Sequence, residues 1–195
     1  IFNTSPVIDD QGKLVTKCRK LYPFLPFEKG VTAGNEVCVF EFPGYGKLGL
    51  QICYDLWFPE TCRAIAMKGA EVILHPSLTD TCDRDVERAM VKATAAQQQC
   101  YYVDINAAGE QGVGQSLICG PDGEILHDAN ESEEIMLIEV DFNRVRRCRE
   151  RGLMGLGQPL KSYRDDPKKH LSNEPDKDYL DNLGPLDIPS KEKTP

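Results

Sequence analysis

A cysteine stands where a predicted strand gives way to a predicted helix. Residues 47–52 have strand character, Cys53 follows them, and helical character begins at Pro59. A thiol on such a turn can act as a nucleophile, because nearby backbone N–H groups are free to hold an oxyanion. The positive end of the helix and a neighbouring ammonium would favour the thiolate. The local pattern alone favours another interpretation, a buried structural cysteine at a strand end.

Two other motifs offer different chemistry. His75 suggests a Cys–His dyad of the kind found in papain-like proteases, but a histidine beside Pro76 at a strand end is more typical of a structural role. The run Gly44–Gly49 matches G-x-G-x-x-G, which binds a dinucleotide only where a helix opens after it. A strand follows here, so we interpret this run as the turn of a hairpin.

The elements that position these residues alternate between strands and helices. Hydrophobic periodicity and turn residues predict a hairpin over 7–15, an irregular Pro-rich segment over 21–34 and a series of later elements. The later strands are predicted at 37–42, 47–52, 70–74, 101–107, 117–119, 124–127 and 135–140, and the helices at 59–68, 83–99 and 141–151. This order predicts an α/β protein with a mixed sheet.

Two of the predicted helices have a defined face or cap. In the helix over 83–99, helical spacing joins Val86, Met90, Ala93 and Gln97 into one packing face. The helix over 141–151 is predicted to be capped at its N-terminus by Asp141 or Asn143. Its arginines form a basic cluster that we interpret as a solvated face or an interface element; they are Arg144, Arg146, Arg147, Arg149 and Arg151.

Composition narrows the functional class. The 195 residues include 31 acidic and 23 basic side chains, a formal net charge of -8. Such a chain lacks the cationic surface that phosphate backbones require, which argues against nucleic-acid binding. No stretch approaches the ~18 apolar residues of a membrane span, so we expect no membrane partner.

The eight cysteines predict thiols rather than disulfides. They lie at least nine positions apart, so no C-x-x-C pair exists, and we expect no metal and no cofactor. The chain is larger than small disulfide-stapled domains, and we expect it to have no signal peptide. We therefore expect reduced, mostly buried thiols and a cytoplasmic location.

Three separated segments resemble the motifs of the nitrilase superfamily of carbon–nitrogen hydrolases. Residues 17–20 resemble its lysine motif, residues 27–36 its "EKGVTPGNE" loop, and residues 51–60 its "CYDLRFPE" nucleophile motif. The order and spacing also agree with the family. Further matches continue the resemblance from about Asn3 to Asp165; they are 67–74, 106–109, 114–116 and 120–123.

The resemblance implies a role for each matching residue. Cys53 corresponds to the nucleophile of a Glu–Lys–Cys triad, Lys20 to its lysine and Glu28 to an auxiliary glutamate. The backbone N–H of Tyr54 would share the oxyanion with Lys20, and Trp57 is a candidate for the substrate pocket, although an aromatic residue there is equally typical of plain core. Taken by itself, Lys20 would be a solvated surface lysine.

The family's fold is a four-layer α-β-β-α sandwich. Its first triad glutamate lies well upstream of the lysine motif, and no residue here matches it. We therefore expect this chain to be the C-terminal part of such an enzyme, incomplete at its N-terminus. Residues 1–164 are predicted to form the hydrolase domain, and residues 165–195 a polar, Pro-rich tail or arm.

The resulting functional hypothesis is hydrolysis of a non-peptide carbon–nitrogen bond. The substrate would be a small amide, converted to acid and ammonia through a cysteine thioester. We expect the 195-residue chain alone to be inactive without the first glutamate, and the family's dimer or a higher homo-oligomer to form. The alternative is a non-catalytic fragment or degenerate homologue that keeps the fold and an oligomer contact. The residues leave open whether the substrate is an aliphatic amide, a formamide, an N-carbamoyl amine or a nitrile.

Overall fold

The protein is described by a computed structural model that covers residues 1–165, 181–183 and 185–186. Most of the predicted tail over 165–195 lies outside these residues, so the domain boundary stays a prediction. Within the described residues the chain forms a two-stranded sheet and a six-stranded sheet. This mixed α/β architecture confirms the predicted fold class.

The small sheet is the predicted hairpin near the start of the chain. Strand β1 (Thr4–Ile8) pairs antiparallel with β2 (Leu14–Arg19), and Thr4 lies opposite Arg19. The Asp9 carboxylate accepts hydrogen bonds from the N–H groups of Gln11 and Lys13, which closes the turn. Lys20 follows directly after the end of strand β2.

The large sheet has the order β3-β4-β5-β6-β7-β8. Its strands β4, β5 and β6 are parallel, and the outer pairs β3–β4, β6–β7 and β7–β8 are antiparallel. The strands are β3 (Cys38–Phe42), β4 (Gly46–Leu50), β5 (Val72–Ser77), β6 (Tyr101–Asn106), β7 (Leu117–Cys119) and β8 (Ile125–Asp128). Gly44, at φ +81°, forms the turn between β3 and β4, which confirms the hairpin interpretation of the glycine run.

Strand β5 continues beyond its predicted end at Leu74 and includes Pro76. Pairing with β4 stops at Leu50 opposite Leu74, whereas pairing with β6 continues to Ser77 opposite Asn106. Beyond Leu74 one edge of β5 therefore has no ladder partner, and Pro76 can be accommodated there without breaking the sheet. This extension is what brings His75 into the sheet.

Four helices accompany the sheets within residues 1–165. They are α1 (Pro59–Met67), α2 (Arg84–Gln98), α3 (Phe142–Arg151) and α4 (Pro159–Asp165), the last of which the sequence did not predict. Alternate strand residues face opposite sides of the sheet. Ile73 and Tyr102 pack with residues of α1 and α2, whereas Val72 and Tyr101 pack with Val145 of α3.

The predicted packing face of α2 is wrong. Val86 is half exposed, and the buried face instead carries polar and charged side chains among its apolar ones. Arg84 and Glu87 lie on this inner face, paired with each other and with groups of the sheet. Hydrophobic spacing therefore selected the outer side of the helix. The buried residues of α2 are Arg84, Glu87, Val91, Thr94, Ala95 and Gln98.

The strand predicted over 135–140 is also wrong. This segment has no assigned secondary structure and joins no sheet within the described residues. Ile135 and Leu137 are 92% and 91% exposed, because no neighbouring strand covers them. The alternation of apolar residues is real, but a ladder partner is lacking in the described part of the chain.

Two arginines of α3, Arg146 and Arg149, hold the helix against the sheet, so these two are not part of a purely solvated face. Asp141 caps the helix by accepting a hydrogen bond from the Asn143 N–H, as predicted. Arg146 forms an ion pair with Glu71, and Arg149 donates to backbone carbonyl groups including those of Ala70 and Gln99. Burial lowers the pKa of Arg149, and nearby polar groups only partly oppose this effect.

Candidate active site

Lys20 and Glu28 form an ion pair at the entry to the irregular segment that follows β2. Lys20 Nζ lies 2.7 Å from Glu28 Oε2, and the lysine side chain is only 2% exposed. An ammonium at this depth requires a carboxylate beside it. The interpretation of Lys20 as a solvated surface lysine is therefore wrong.

Glu28 accepts hydrogen bonds from three groups. Besides Lys20, the amide Nδ2 of Asn3 donates to Oε1 at 2.9 Å, and the backbone N–H of Phe24 donates to Oε2. Burial acts to raise the pKa of Glu28, but these donors and the Lys20 charge outweigh it and hold the pKa below the ordinary value. Glu28 is therefore an ionised carboxylate suited to fixing Lys20 in place.

Cys53 begins a 3₁₀ turn, Cys53–Trp57, that links β4 to α1. Its backbone lies in the left-handed region at φ +48°, which a residue other than glycine adopts only at a cost. The thiol is half-buried, whereas six other cysteines are buried and Cys82 is exposed. All eight cysteines are free thiols.

Asp55 joins the lysine segment to the cysteine turn. Its Oδ1 accepts hydrogen bonds from the backbone N–H groups of Leu21 and Tyr22, at 3.0 and 2.8 Å. Its Oδ2 accepts from the N–H of Ile52 at 3.0 Å. One fully buried side chain thus binds the residues directly after Lys20 and directly before Cys53. Burial raises the pKa of Asp55 despite these three donors.

Aromatic contacts reinforce the same junction. The rings of Tyr22 and Phe58 stack with their centroids 3.6 Å apart, and those of Phe24 and Tyr54 lie 4.7 Å apart. Both contacts join the segment after Lys20 to the turn that contains Cys53. Lys20, Glu28 and Cys53 are therefore held by two segments that pack directly on each other.

Comparison with known proteins identifies the family. The sequence profile of the family described as "Carbon-nitrogen hydrolase" matches residues 1–150. The chain belongs to the carbon-nitrogen hydrolase family. The predicted resemblance to the nitrilase superfamily is thereby confirmed.

Two kinds of amidase are among the curated relatives that are similar to this chain. The chain is 31% identical over 167 residues to the deaminated glutathione amidase of Dictyostelium discoideum, covering 77% of this chain and 57% of that protein. It is 36% identical over 146 residues to a formamidase of Bacillus cereus (strain G9842), covering 71% of this chain and 43% of the formamidase. The chain thus spans about half the length of these relatives.

Solved structures agree with this membership. The fold of Saccharomyces cerevisiae Nit3, a member of branch 10 of the nitrilase superfamily, matches with a TM-score of 0.70 and 30% identity, over 76% of this chain and 56% of that one. A mutant of the amidase from Nesterenkonia sp. AN1 in complex with butyramide matches with a TM-score of 0.61 and 26% identity, over 66% and 51% of the two chains.

The predicted pocket residues lie in the cysteine turn. Tyr54 follows Cys53, and its ring contacts those of Phe24 and Phe58. Trp57 is half-buried, and its Nε1 donates a hydrogen bond to the buried Glu87 at 3.3 Å. This bond ties Trp57 to α2. Their roles toward a substrate stay predictions.

His75 occupies a position different from that of a dyad base. Its Nε2 lies 2.9 Å from the backbone oxygen of Cys53, and its Nδ1 lies 2.7 Å from Oδ1 of Asp104. Both ring nitrogens are therefore engaged by groups other than the thiol. This geometry argues against the Cys–His dyad.

Sequence reasoning missed Asp55 as a site residue. Asp55 lies within residues 51–60, the segment that resembles the family's nucleophile motif, and this position was a signal for it. Its partners Leu21 and Tyr22, however, are 34 and 33 residues away. Asn3 was missed for the same reason, since its partner Glu28 is 25 residues away.

Neither a membrane helix nor a metal cluster is present in the described part of the chain. Over residues 1–165, 181–183 and 185–186, every helix is too short or too polar to cross a bilayer. In those same ranges, no group of three or more His, Cys, Asp or Glu side chains is arranged to hold a metal ion.

Proposed function

We propose that this protein hydrolyses the carbon–nitrogen bond of a small amide, with Cys53 as the nucleophile and Lys20 and Glu28 as its partners. One observation carries the proposal: Asp55 joins the segment after Lys20, whose buried side chain pairs with Glu28, to the turn that contains Cys53. We propose that the Lys20 ammonium approaches the half-buried Cys53 thiol, where a cation would favour the thiolate.

In the first step, the Cys53 sulfur attacks the amide carbonyl carbon. The carbonyl oxygen becomes an oxyanion, which the Lys20 ammonium and the backbone N–H of Tyr54 stabilise. Collapse of this intermediate breaks the C–N bond and releases ammonia, once a proton has reached the leaving nitrogen. The product is a thioester between the acyl group and Cys53.

In the second step, water attacks the thioester carbon and the C–S bond breaks. The acid leaves and the thiol is restored, so the net reaction consumes one water per amide. A base must take a proton from that water. Glu28 is already hydrogen-bonded by Lys20, Asn3 and Phe24, and Asp55 by three backbone N–H groups. We therefore assign these two carboxylates to positioning and propose a further carboxylate as the base.

The choice of a small amide is supported by the relatives' names. The curated relatives are an amidase for deaminated glutathione and a formamidase, and the Nesterenkonia amidase was solved with butyramide. All three names concern carbon–nitrogen bonds of amides. The acyl group that this protein accepts is left open among these classes.

The proposal is tested by labelling and by trapping. The full chain is treated with iodoacetamide under native conditions, and the rate at each cysteine is followed by peptide mapping. We expect Cys53 to react faster than the more exposed Cys82, because the proposed approach of the Lys20 ammonium to Cys53 would favour its thiolate. The Cys53→Ala variant, with Cys82→Ala as its matched control, should lose any thioester that hydroxylamine traps from amide substrates.

The alternative, a non-catalytic homologue, predicts a different outcome. Cys53 would then react no faster than Cys82, and neither variant would change the products. Faster labelling of any other cysteine would remove Cys53 as the proposed nucleophile.

We also propose a cytoplasmic location and self-association. The location is supported by the eight free thiols. Association is supported by the exposed aliphatic side chains of Ile135 and Leu137. Light scattering of the protein at micromolar concentration tests association, and a monomer there would contradict it.

A further inference from the structure

His75 is a fully buried histidine whose ring bridges two strands and the cysteine turn. It lies opposite Asp104 in the parallel ladder between β5 and β6. Its Nδ1 faces Asp104 Oδ1 at 2.7 Å, and its Nε2 faces the Cys53 carbonyl oxygen at 2.9 Å. The Tyr102 ring packs beside it, with the centroids 5.6 Å apart.

Both partners of the ring are hydrogen-bond acceptors. A backbone carbonyl can only accept, so Nε2 carries a hydrogen. Asp104 also accepts a hydrogen bond from Arg84, and this permanently charged guanidinium favours the ionised carboxylate. An ionised Asp104 requires Nδ1 to carry a hydrogen as well. The ring that satisfies both contacts is the imidazolium.

The charges around His75 balance when the ring is an imidazolium. Arg84 contacts Asp104 and also Glu87, whose Oε2 lies 3.2 Å from Arg84 Nη1. Arg84, Glu87 and Asp104 are each at most 3% exposed. Two cations, His75 and Arg84, then face two anions, Asp104 and Glu87, which is the condition under which buried charges are tolerated.

On the side away from Asp104, the His75 ring contacts the strained backbone of Cys53. Cys53 has φ +48°, a conformation that costs a non-glycine residue on the order of 1–3 kcal/mol unless its surroundings fix it. The carbonyl that His75 binds belongs to the same residue. The peptide group that follows this carbonyl carries the N–H of Tyr54.

We propose that His75, as a buried imidazolium, is a positioning residue that holds the Cys53 backbone in its left-handed conformation by donating to the Cys53 carbonyl oxygen. This bond fixes the direction of the Cys53 side chain and of the Tyr54 N–H together. The conformational claim stands on contacts alone; its catalytic meaning rests on the proposed function of Cys53.

The first measurement concerns the ring itself. In protein labelled with ¹⁵N-histidine, His75 should show two slowly exchanging ring N–H signals at neutral pH. The chain has three histidines, and the signals that vanish in His75→Gln assign those of His75. A single ring N–H in the folded protein would overturn the imidazolium.

The second measurement concerns the turn. His75→Gln keeps an N–H donor for the carbonyl, whereas His75→Leu removes it. We expect the iodoacetamide rate of Cys53, divided by that of Cys82, to fall about tenfold in His75→Leu and to change less than about threefold in His75→Gln. Ile73→Ala, a fully buried position on the same strand, controls for lost stability and should leave the ratio unchanged.

Each outcome decides the proposal. An unchanged ratio in His75→Leu, or an equal fall in all three variants, would overturn it. Because the ratio reads the accessibility and direction of the thiol, it is independent of turnover. If the unmodified protein were alkylated no faster at Cys53 than at Cys82, the proposed function would fail, whereas a fall of the ratio in His75→Leu relative to His75→Gln would still support the role of His75.

Discussion

Glu28 Oε2 lies 2.7 Å from Lys20 Nζ, and this pair places a cation in a position where only 2% of the lysine side chain reaches solvent. Removing the carboxylate would leave the ammonium buried without a counter-charge. Glu28 therefore stabilises the folded segment around Lys20, in addition to its proposed role in the active site.

The first prediction follows from this burial. We expect Glu28→Gln to lower the free energy of unfolding by about 1–3 kcal/mol, because the charged partner of Lys20 is lost. Urea denaturation measures the change. Glu41→Gln is the matched control, since Glu41 pairs with Lys47 at 3.5 Å on the exposed surface and should change stability by less than about 0.5 kcal/mol. Equal midpoints for the two variants would contradict the prediction.

The second prediction concerns acid. The pKa of Glu28 in the folded protein lies below its ordinary value of 4.5. Its contribution to stability is therefore present above that value and is lost as the pH falls through the lowered pKa. We expect the difference in stability between the wild type and Glu28→Gln to shrink progressively below pH 4.5. A difference that stays constant on acidification would show that the charge of Glu28 is not involved.

The third prediction concerns Asp55. Asp55→Asn replaces one acceptor oxygen by a donor, so either Ile52 or the pair Leu21 and Tyr22 loses its partner. We expect a loss of about 1–3 kcal/mol and slower alkylation of Cys53, because the turn and the lysine segment separate. Asp10→Asn, at an exposed turn position, provides the control. Native alkylation kinetics in Asp55→Asn would argue against this linkage.

The fourth prediction concerns the hydrogen bonds by which Arg149 holds α3 in place. Arg149 donates to the carbonyl oxygens of Ala70, Gln98 and Gln99, and a lysine cannot reproduce this fork. We expect Arg149→Lys to lower the thermal midpoint through a loss of about 1–3 kcal/mol. Arg147→Lys, whose ion pair with Asp141 is exposed, should leave the midpoint nearly unchanged. A larger fall of the thermal midpoint in Arg147→Lys than in Arg149→Lys would contradict this prediction.

The fifth prediction concerns turnover by the 195-residue chain alone. Since Glu28 and Asp55 are occupied by hydrogen bonds, we expect little ammonia release from acetamide, formamide or an N-carbamoyl amine. General-base catalysis typically contributes about 10²–10⁴-fold, so its loss should be evident in the rate. Robust turnover that disappears in Cys53→Ala would show that a carboxylate of this chain serves as the base, with Glu28 the first candidate.

Most elements of the fold were predictable because their signals are local. The helix at Pro59–Met67 begins with a proline, and the helix at Phe142–Arg151 begins after a capping aspartate. The glycine turn at Gly44 and the hairpin near the start follow from turn residues. The segment 135–140 misled the prediction because alternation alone does not supply a neighbouring strand.

The candidate site was predictable only in part. Cys53, Lys20 and Glu28 lie in motifs that resemble a known family, and the structure packs their segments together. Asp55 and His75 take their function from partners that are distant in sequence, such as Leu21 and Asp104. The buried face of α2 carries the charged residues Arg84 and Glu87, so it differs from the predicted face. Hydrophobic spacing identifies apolar faces and cannot predict a buried network of charges.

The left-handed backbone of Cys53 restricts how this position can evolve. Glycine adopts such a conformation freely, so selection for folding alone would favour glycine there. A β-branched residue would be more strained still, which closes the route to a threonine nucleophile. A serine keeps the shape of cysteine and remains sterically accessible. The backbone conformation at position 53 thus limits which substitutions can fold, independently of their effect on the reactivity of the side chain.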